Sequence, residues 1–200
     1  MSHKKTANFL ALGLGLSLWS PLVFISRGAT EPAPVQPLIA QLEKDVPYVP
    51  TPQSVVDAML KLAKVSQNDV LMDLGSGDGR IVITAAQTFK VKRAIGIEID
   101  PNLVAESRAN AEKAGLTDRV QFVEGNIFTT DFGEATVITM YLLPDINIRL
   151  RPQLLRLRPG TRIVSHAFDM GAWKPDQVQE IEGRTIYLWI VPETIPPNLR

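Results

Sequence analysis

A glycine-rich loop is the first feature of the sequence whose residue types and spacing suit binding chemistry. Residues 73–79 read DLGSGDG and follow a short apolar run at 70–74. Gly75, Gly77 and Gly79 permit positive φ angles and let a ligand approach the backbone closely. A dinucleotide loop has the spacing G-x-G-x-x-G, whereas the third glycine here comes one residue early. A plain turn is the alternative interpretation of this glycine loop.

The charge of the glycine loop indicates what kind of ligand would suit it. Asp73 and Asp78 lie beside the glycines, so two carboxylates would face the pyrophosphate of a bound dinucleotide. The G-x-x-x-x-G-K-[ST] pattern of a nucleoside triphosphate site does not occur in the sequence. An acidic loop favours a ligand that carries an ammonium and a sulfonium group.

Two further polar residues follow strands and so belong near the same ligand. Glu98 comes about 20 residues after the glycines, where an acidic residue accepts hydrogen bonds from both ribose hydroxyls. Asp100, directly before Pro101, is better placed to cap the next helix. Asn126 follows the next strand, where it either contacts an adenine edge or serves as a turn residue.

The elements that must position these residues alternate between strands and helices. The first helix begins at Thr51-Pro52, with Thr51 as its cap, and others cover 80–89, 103–114 and 145–157, the last interrupted at Pro152. Strands are predicted at 70–74, 93–99, 120–123, 136–143, 161–168, 177–181 and 184–191. This order predicts an α/β fold, a doubly wound, seven-stranded, mostly parallel sheet with an antiparallel edge strand.

The composition excludes several kinds of site. Lys plus Arg and Asp plus Glu both number 21, so the formal net charge is zero, and we predict no nucleic-acid partner. The sequence has no cysteine, which excludes disulfides and thiolate metal sites. Its two histidines, His3 and His166, are too few for a histidine-rich metal site, and we predict no metal.

Several segments resemble known families. DLGSGDGR at 73–80 and GIEID at 96–100 resemble the class I S-adenosylmethionine-dependent methyltransferases. YVPTP at 48–52, VITMYLLP at 137–144 and PGTRIVSHAFDMGAWKP at 159–175 are similar to the small protein-lysine methyltransferases. That subgroup includes a broad-specificity archaeal enzyme and mitochondrial enzymes that act on the ATP synthase and the adenine nucleotide carrier. The resemblance covers residues 46 to about 191.

This resemblance implies a Rossmann-like methyltransferase fold with S-adenosylmethionine as its cofactor. The glycines at 75, 77 and 79 would approach the methionine part of the cofactor, while Asp73 anchors its ammonium or orients the loop. Tyr48 and Thr51 would come over the same end of the cofactor. The remaining predicted cofactor contacts are Glu98 to the ribose, Ile99 against the adenine and Asn126 at the adenine edge.

The resemblance also implies the reaction, which is N-methylation of lysine side chains in proteins. Tyr141 is predicted to line an apolar channel and orient the amine, although a core aromatic is the alternative role. The sequence MYLLP replaces the N/D-P-P-Y/F motif of many amino-methylating relatives, which argues against methylation of nucleic-acid bases. Two other functions stay open: methylation of a small molecule or lipid, and a membrane-anchored module that binds the cofactor without catalysis.

The N-terminus is separate in character from the rest of the chain. Residues 9–25 are apolar and uncharged, and a proline-rich stretch follows. Three interpretations are open: a membrane anchor, a cleaved signal peptide, or a misassigned start or buried helix. We predict an anchor or signal at 1–30, a linker at 31–45 and a methyltransferase domain at 46–200. The expected location is membrane-associated, with the catalytic domain on the cytosolic side.

Overall fold

The structure is a computed structural model that describes residues 48–199. The helices of this part are α1 (Gln53–Leu62), α2 (Arg80–Gln87), α3 (Pro101–Lys113) and α4 (Pro144–Leu154). The strands are β1 (Val70–Leu74), β2 (Arg93–Glu98), β3 (Val120–Glu124), β4 (Val137–Met140), β5 (Arg162–His166), β6 (Gln177–Ile181) and β7 (Arg184–Ile190). A short 3-10 helix follows at Pro197–Leu199.

The seven strands form one sheet in the order β3-β2-β1-β4-β5-β7-β6. Strands β1 to β5 pair in parallel, while β7 pairs antiparallel with both β5 and β6. The predicted α/β fold with a mostly parallel sheet is therefore confirmed, and the antiparallel pairings are those of β7 with β5 and with the edge strand β6. After β1 the chain adds β2 and β3 on one side of the sheet, and then adds β4 and β5 on the other side of β1. The switch point therefore lies between β1 and β4, and sheets of this kind bind ligands there.

Alternating strand residues divide the core into two layers, because successive side chains point to opposite faces. One layer packs α1, α2 and α3 against Leu71, Ala94 and Val137. The other packs α4 and the C-terminal segment against Met72 and Ile138 on the opposite face. The two layers hold β1 rigidly at the centre, so the loop that leaves its carboxyl end is fixed in place.

Two local predictions are wrong. Helix α1 begins at Gln53 without a side-chain cap, because the Thr51 hydroxyl bonds to His166 instead. Helix α4 runs through Pro152 without a break. Proline removes one N–H and so one helical hydrogen bond, but the fully buried Leu150 and Leu154 anchor the helix on both sides of it.

The predicted membrane association is also corrected. Within residues 48–199, no helix is long and apolar enough to cross a membrane. The apolar segment at 9–25 and the linker at 31–45 lie outside the described residues.

Candidate active site

A cavity of about 520 Å³ opens beyond the carboxyl ends of β1, β2 and β4. Its volume lies in the range of cofactor and small-molecule sites. Its lining is acidic at some positions and apolar at others. The residues that line it include Tyr48, Thr51, Asp73, Gly75, Ser76, Asp78, Arg80, Ile97, Glu98, Ile99, Asp100, Leu103, Gly125, Ile127, Tyr141, Leu142, Leu143, Ile146 and Phe168.

The glycine loop forms the floor between β1 and α2. Gly77 has a φ of +53°, and a Cβ added there would lie 2.3 Å from Tyr48 Cε2. Gly79 also has positive φ, but its added Cβ would meet Phe122 Cζ at 2.5 Å. Gly75 lines the cavity, whereas Gly77 and Gly79 are not among the lining residues. The structure thus gives Gly79 a helix-to-sheet packing contact, while direct approach to a cofactor remains a prediction.

The carboxylate of Glu98 organises the glycine loop from the end of β2. Its Oε2 accepts a hydrogen bond from the Gly77 N–H at 2.9 Å. Its Oε1 accepts from the N–H groups of Ile99 at 2.8 Å and Asp100 at 3.0 Å. A carboxylate has about four acceptor positions, so these three bonds leave one on Oε2. If Glu98 accepts hydrogen bonds from both ribose hydroxyls, as the sequence predicts, one of its three bonds to backbone N–H groups must therefore break.

Asp73 is the second buried carboxylate of the cavity. Its side chain is 2% exposed, and its Oδ1 accepts a hydrogen bond from Thr139 Oγ1 at 2.7 Å. Burial raises the pKa of Asp73 to about 7, the charges of Glu98 and Asp78 add to this, and the Thr139 bond opposes it. A cationic ligand group beside Asp73 would favour its ionised form.

Asp78 is already neutralised within the chain. Its carboxylate pairs with the Arg80 guanidinium at 2.6 Å, and a second Arg80 nitrogen donates to the carbonyl of Thr51 at 3.0 Å. Burial opposes ionisation of Asp78, but the Arg80 bonds outweigh it, so the pKa of Asp78 lies below its ordinary value. Of the two carboxylates in the glycine loop, Asp73 is thus the one without a cationic partner among the described residues.

Residues 48–52, which we call the strap, cross the cavity ahead of α1. Tyr48 covers Gly77, and its hydroxyl accepts a hydrogen bond from the Asp78 N–H at 3.4 Å. Burial raises the pKa of Tyr48 to about 12, so this phenol stays protonated at neutral pH. Thr51 is buried and shares a hydrogen bond with His166 Nδ1 at 3.2 Å. Both strap residues therefore line the cavity, and their contact with the methionine end of the cofactor stays a prediction.

Aromatic side chains form one side of the cavity. The Tyr141 ring lies 4.0 Å from the His166 ring and 6.3 Å from the nearly parallel ring of Phe168. Tyr141 and Phe168 line the cavity, and we call this pair the aromatic wall. His166 is 2% exposed and supports the wall from the end of β5. Burial, with a contribution from Arg184, lowers the pKa of His166 to about 4.

Two residues that sequence analysis missed hold the wall in place. Asn147, fully buried on α4, donates hydrogen bonds to the carbonyls of Phe168 and Asp169 at 3.1 and 3.3 Å. Ser165 Oγ donates to the same Phe168 carbonyl at 2.7 Å. The only sequence signal for Asn147 is a polar residue on the apolar face of a helix, which a periodicity pattern alone does not assign to a site.

Of the two remaining residues predicted to contact the cofactor, one lines the cavity and the other lies in a turn. Ile99 lines the cavity, and its contact with the adenine stays a prediction. Asn126 is not among the lining residues, and its Oδ1 accepts a hydrogen bond from the Phe128 N–H at 2.8 Å. This is the turn role that the sequence left open, so the adenine contact of Asn126 stays a prediction.

The residues present fit S-adenosylmethionine. Asp73 and Glu98 offer acceptors to the ammonium and ribose of this cofactor, and Ile99 and Leu103 offer apolar surface to an adenine. The Oγ of Ser76 is buried and has no hydrogen-bond partner in the part of the chain described here, which leaves one polar atom of the loop free. Fold and site together define an S-adenosylmethionine-dependent methyltransferase.

Comparisons with known proteins extend this assignment. A family model described as the ANTKMT methyltransferase domain matches residues 73–177. A protein-lysine N-methyltransferase of Saccharolobus islandicus is 51% identical over 74% of this chain and 95% of its own length. The adenine nucleotide translocase lysine N-methyltransferase of Mus musculus is 32% identical over 67% of this chain, which spans 58% of that relative.

A solved structure is similar as well. The crystal structure of an RNA methyltransferase from Salinibacter ruber, in complex with S-adenosyl-L-homocysteine, is 57% identical with a TM-score of 0.74. It covers 76% of this chain and 99% of its own. The chain belongs to the ANTKMT methyltransferase family. The predicted resemblance, the enzyme class and the cofactor are confirmed.

Proposed function

We propose that this enzyme transfers methyl groups from S-adenosylmethionine to lysine amines of protein substrates. The aromatic wall carries this proposal, because it offers an apolar surface to a substrate chain directly beside the acidic cofactor end. The family membership supports it, since relatives that include the Saccharolobus enzyme are protein-lysine N-methyltransferases. The lysine substrate, the number of methyl groups and the role of each site residue belong to the proposal.

The chain's own residues prepare the amine for reaction. A lysine in water has a pKa of about 10.4 and is protonated at neutral pH, so it lacks the lone pair that a nucleophile needs. Tyr141, Phe168 and Leu142 remove water from an entering amine, and this desolvation lowers its pKa. The proton then leaves to the solvent before the neutral nitrogen attacks.

The cofactor, when bound, supplies an activated methyl group on a sulfonium centre. The chain contributes mainly proximity and alignment, which alone accelerate such transfers strongly. The Glu98 bonds fix the glycine loop on the cofactor side, and the strap covers that loop. Asn147 and His166 fix the aromatic wall on the substrate side. Each side of the site is therefore held in place by contacts within the chain.

RNA methylation is the second candidate, and the 57% identity to the Salinibacter protein favours it. Two observations oppose it. The formal net charge is zero. The cavity also has four lining carboxylates against one arginine: Asp73, Asp78, Glu98 and Asp100 against Arg80. A phosphodiester chain gains affinity from the reverse balance.

The two candidates are separated by labelling a whole-cell extract with [methyl-³H]S-adenosylmethionine and the purified enzyme. Aliquots are then treated with protease, with nuclease, or extracted with organic solvent. We expect label that protease releases and nuclease does not. Nuclease-sensitive label would establish RNA methylation instead, and label in the organic phase would establish a lipid or small-molecule substrate.

A further inference from the structure

His166 lies where the two halves of the site meet, although it does not line the cavity. On one side its Nδ1 shares the hydrogen bond with Thr51 Oγ1 in the strap. On the other side its ring packs against Tyr141 in the aromatic wall. Thr51 and His166 are 115 residues apart in the chain, so this contact joins segments that nothing local brings together.

Each residue that contacts His166 belongs to one side of the site: Thr51 to the cofactor side and Tyr141 to the acceptor side. The strap that contains Thr51 covers Gly77 through Tyr48, and the Thr51 carbonyl accepts from Arg80 beside the glycine loop. Tyr141 forms the wall against which the methyl acceptor lies in the proposed function. A displacement of the His166 ring therefore shifts the cover of the cofactor site and the wall of the acceptor site together.

The backbone that follows His166 strengthens this arrangement. Ala167 adopts a φ of 65°, which a residue with a side chain rarely adopts. The Phe168 N–H turns back to donate to the His166 carbonyl at 2.9 Å. This tight reversal brings Phe168 next to Tyr141, so His166 fixes one ring of the wall by contact and the other through the backbone.

We propose that His166 is a positioning residue that couples the strap over the cofactor to the aromatic wall of the acceptor site. Only the part of this inference that concerns the methyl acceptor rests on the proposed function. Its low pKa is consistent with this role, since the imidazole stays neutral and keeps one ring nitrogen as an acceptor at working pH. A neutral ring also avoids placing a cation against the apolar wall.

Two substitutions of His166 each keep one of its two contacts and remove the other. His166→Phe keeps an aromatic ring against Tyr141 and removes the bond to Thr51. His166→Asn keeps a polar atom near the position of Nδ1 and removes the ring. Thr51→Val removes the same hydrogen bond from the other side. Val164→Ala, at a fully buried core position on β5, controls for a general loss of stability.

The experiment measures S-adenosylmethionine affinity by calorimetry, without any acceptor, and acceptor kinetics at saturating cofactor. We expect His166→Phe and Thr51→Val each to weaken cofactor binding about fivefold, as loss of one neutral hydrogen bond does, and the double variant to weaken it no further. His166→Asn should keep cofactor affinity and lose about tenfold in kcat/KM for the acceptor, because ring packing is lost. Thr51→Val should also lower kcat/KM for the acceptor at saturating cofactor, because the coupling runs from the strap through His166 to the wall.

Unchanged cofactor affinity in both Thr51→Val and His166→Phe would overturn the coupling. So would a parallel loss of affinity and acceptor kinetics in all variants, including Val164→Ala. If the wild-type enzyme methylates no lysine, the proposed function fails, yet the calorimetric comparison still decides whether His166 holds the strap. The two failures are therefore distinguishable.

Discussion

Tyr48 lies directly over Gly77, so close that a Cβ on the glycine would fall 2.3 Å from the Tyr48 ring. Two features therefore favour glycine at this position: its positive φ, and the lack of space for a side chain beneath the strap. This contact joins the first described residue of the chain to the loop after β1. It explains why a segment ahead of the first helix belongs to the site.

Gly77→Ala should weaken S-adenosylmethionine binding at least tenfold, or about 1.4 kcal/mol, because the added methyl pushes the strap off the loop. Calorimetry measures the affinity. Gly115→Ala is the matched control, since Gly115 also has positive φ but nothing lies within 4 Å of its added Cβ. That control should lose about 1 kcal/mol of stability and no affinity. Equal affinity in both variants would contradict the role of the strap.

Glu98→Ala should lower both cofactor affinity and the free energy of unfolding. Three backbone N–H groups lose a charged acceptor, and a loss of about 2 kcal/mol in unfolding free energy follows from the removal of these charge-assisted bonds. Urea unfolding and calorimetry measure the two effects. Glu124→Ala is the control, because Glu124 is the register partner of Glu98 on β3 and is exposed. If both variants behave alike, Glu98 does not organise the loop.

Much of this site follows from sequence because its signals are local. The glycine loop and Glu98 lie at the ends of adjacent parallel strands, so the strand pattern alone brings them together. Asp100 caps α3 as predicted, with its Oδ1 accepting from the Asn102 N–H at 2.8 Å. Each of these inferences needs only neighbours in the chain and the rule that parallel strands share an edge.

The errors come from contacts between distant segments. Thr51 has the type and position of a helix cap, but a partner 115 residues away takes its hydroxyl. Pro152 has the type of a helix breaker, but tertiary packing of its neighbours outweighs the lost bond. Asn147 holds the aromatic wall through carbonyls about 20 residues away, and no periodicity in the sequence encodes that.

Asp73→Asn should change how stability depends on pH. The pKa of Asp73 is 3.8 ordinarily and about 7 in the folded protein, so the folded state binds this proton more tightly. The free energy of unfolding of the wild type, relative to Asp73→Asn, should therefore fall as pH rises from about 4 to about 7. Denaturant titrations across this range measure the difference.

This comparison isolates Asp73 from the opposing contribution of His166. The pKa of His166 is lowered from 6.5 to about 4, so its contribution to stability rises with pH over that interval. Both proteins contain His166, and its effect cancels in the difference. A wild-type minus variant difference that rises with pH would show that folding does not raise the pKa of Asp73.

Tyr141→Phe and Tyr141→Ala test the aromatic wall separately from the hydroxyl. The ring contacts with His166 and Phe168 survive in the phenylalanine variant and are lost in the alanine variant. We expect kcat/KM for the protein acceptor to fall about tenfold in Tyr141→Phe, since the proposal gives the hydroxyl the role of orienting the amine, and further in Tyr141→Ala. Cofactor affinity should stay within about twofold in Tyr141→Phe. Unchanged kcat/KM in Tyr141→Ala would show that Tyr141 does not contribute to acceptor methylation.

In the proposed function the methyl group goes to the lysine amine, so an acceptor whose amines are blocked should not react. Protein from a whole-cell extract is divided, and one half is acetylated on its lysines before incubation with the enzyme and [methyl-³H]S-adenosylmethionine. Acid hydrolysis and chromatography then identify the labelled product. We expect label in methylated lysine from untreated protein and almost none from acetylated protein. Equal labelling of both halves, or label in another amino acid, would contradict it.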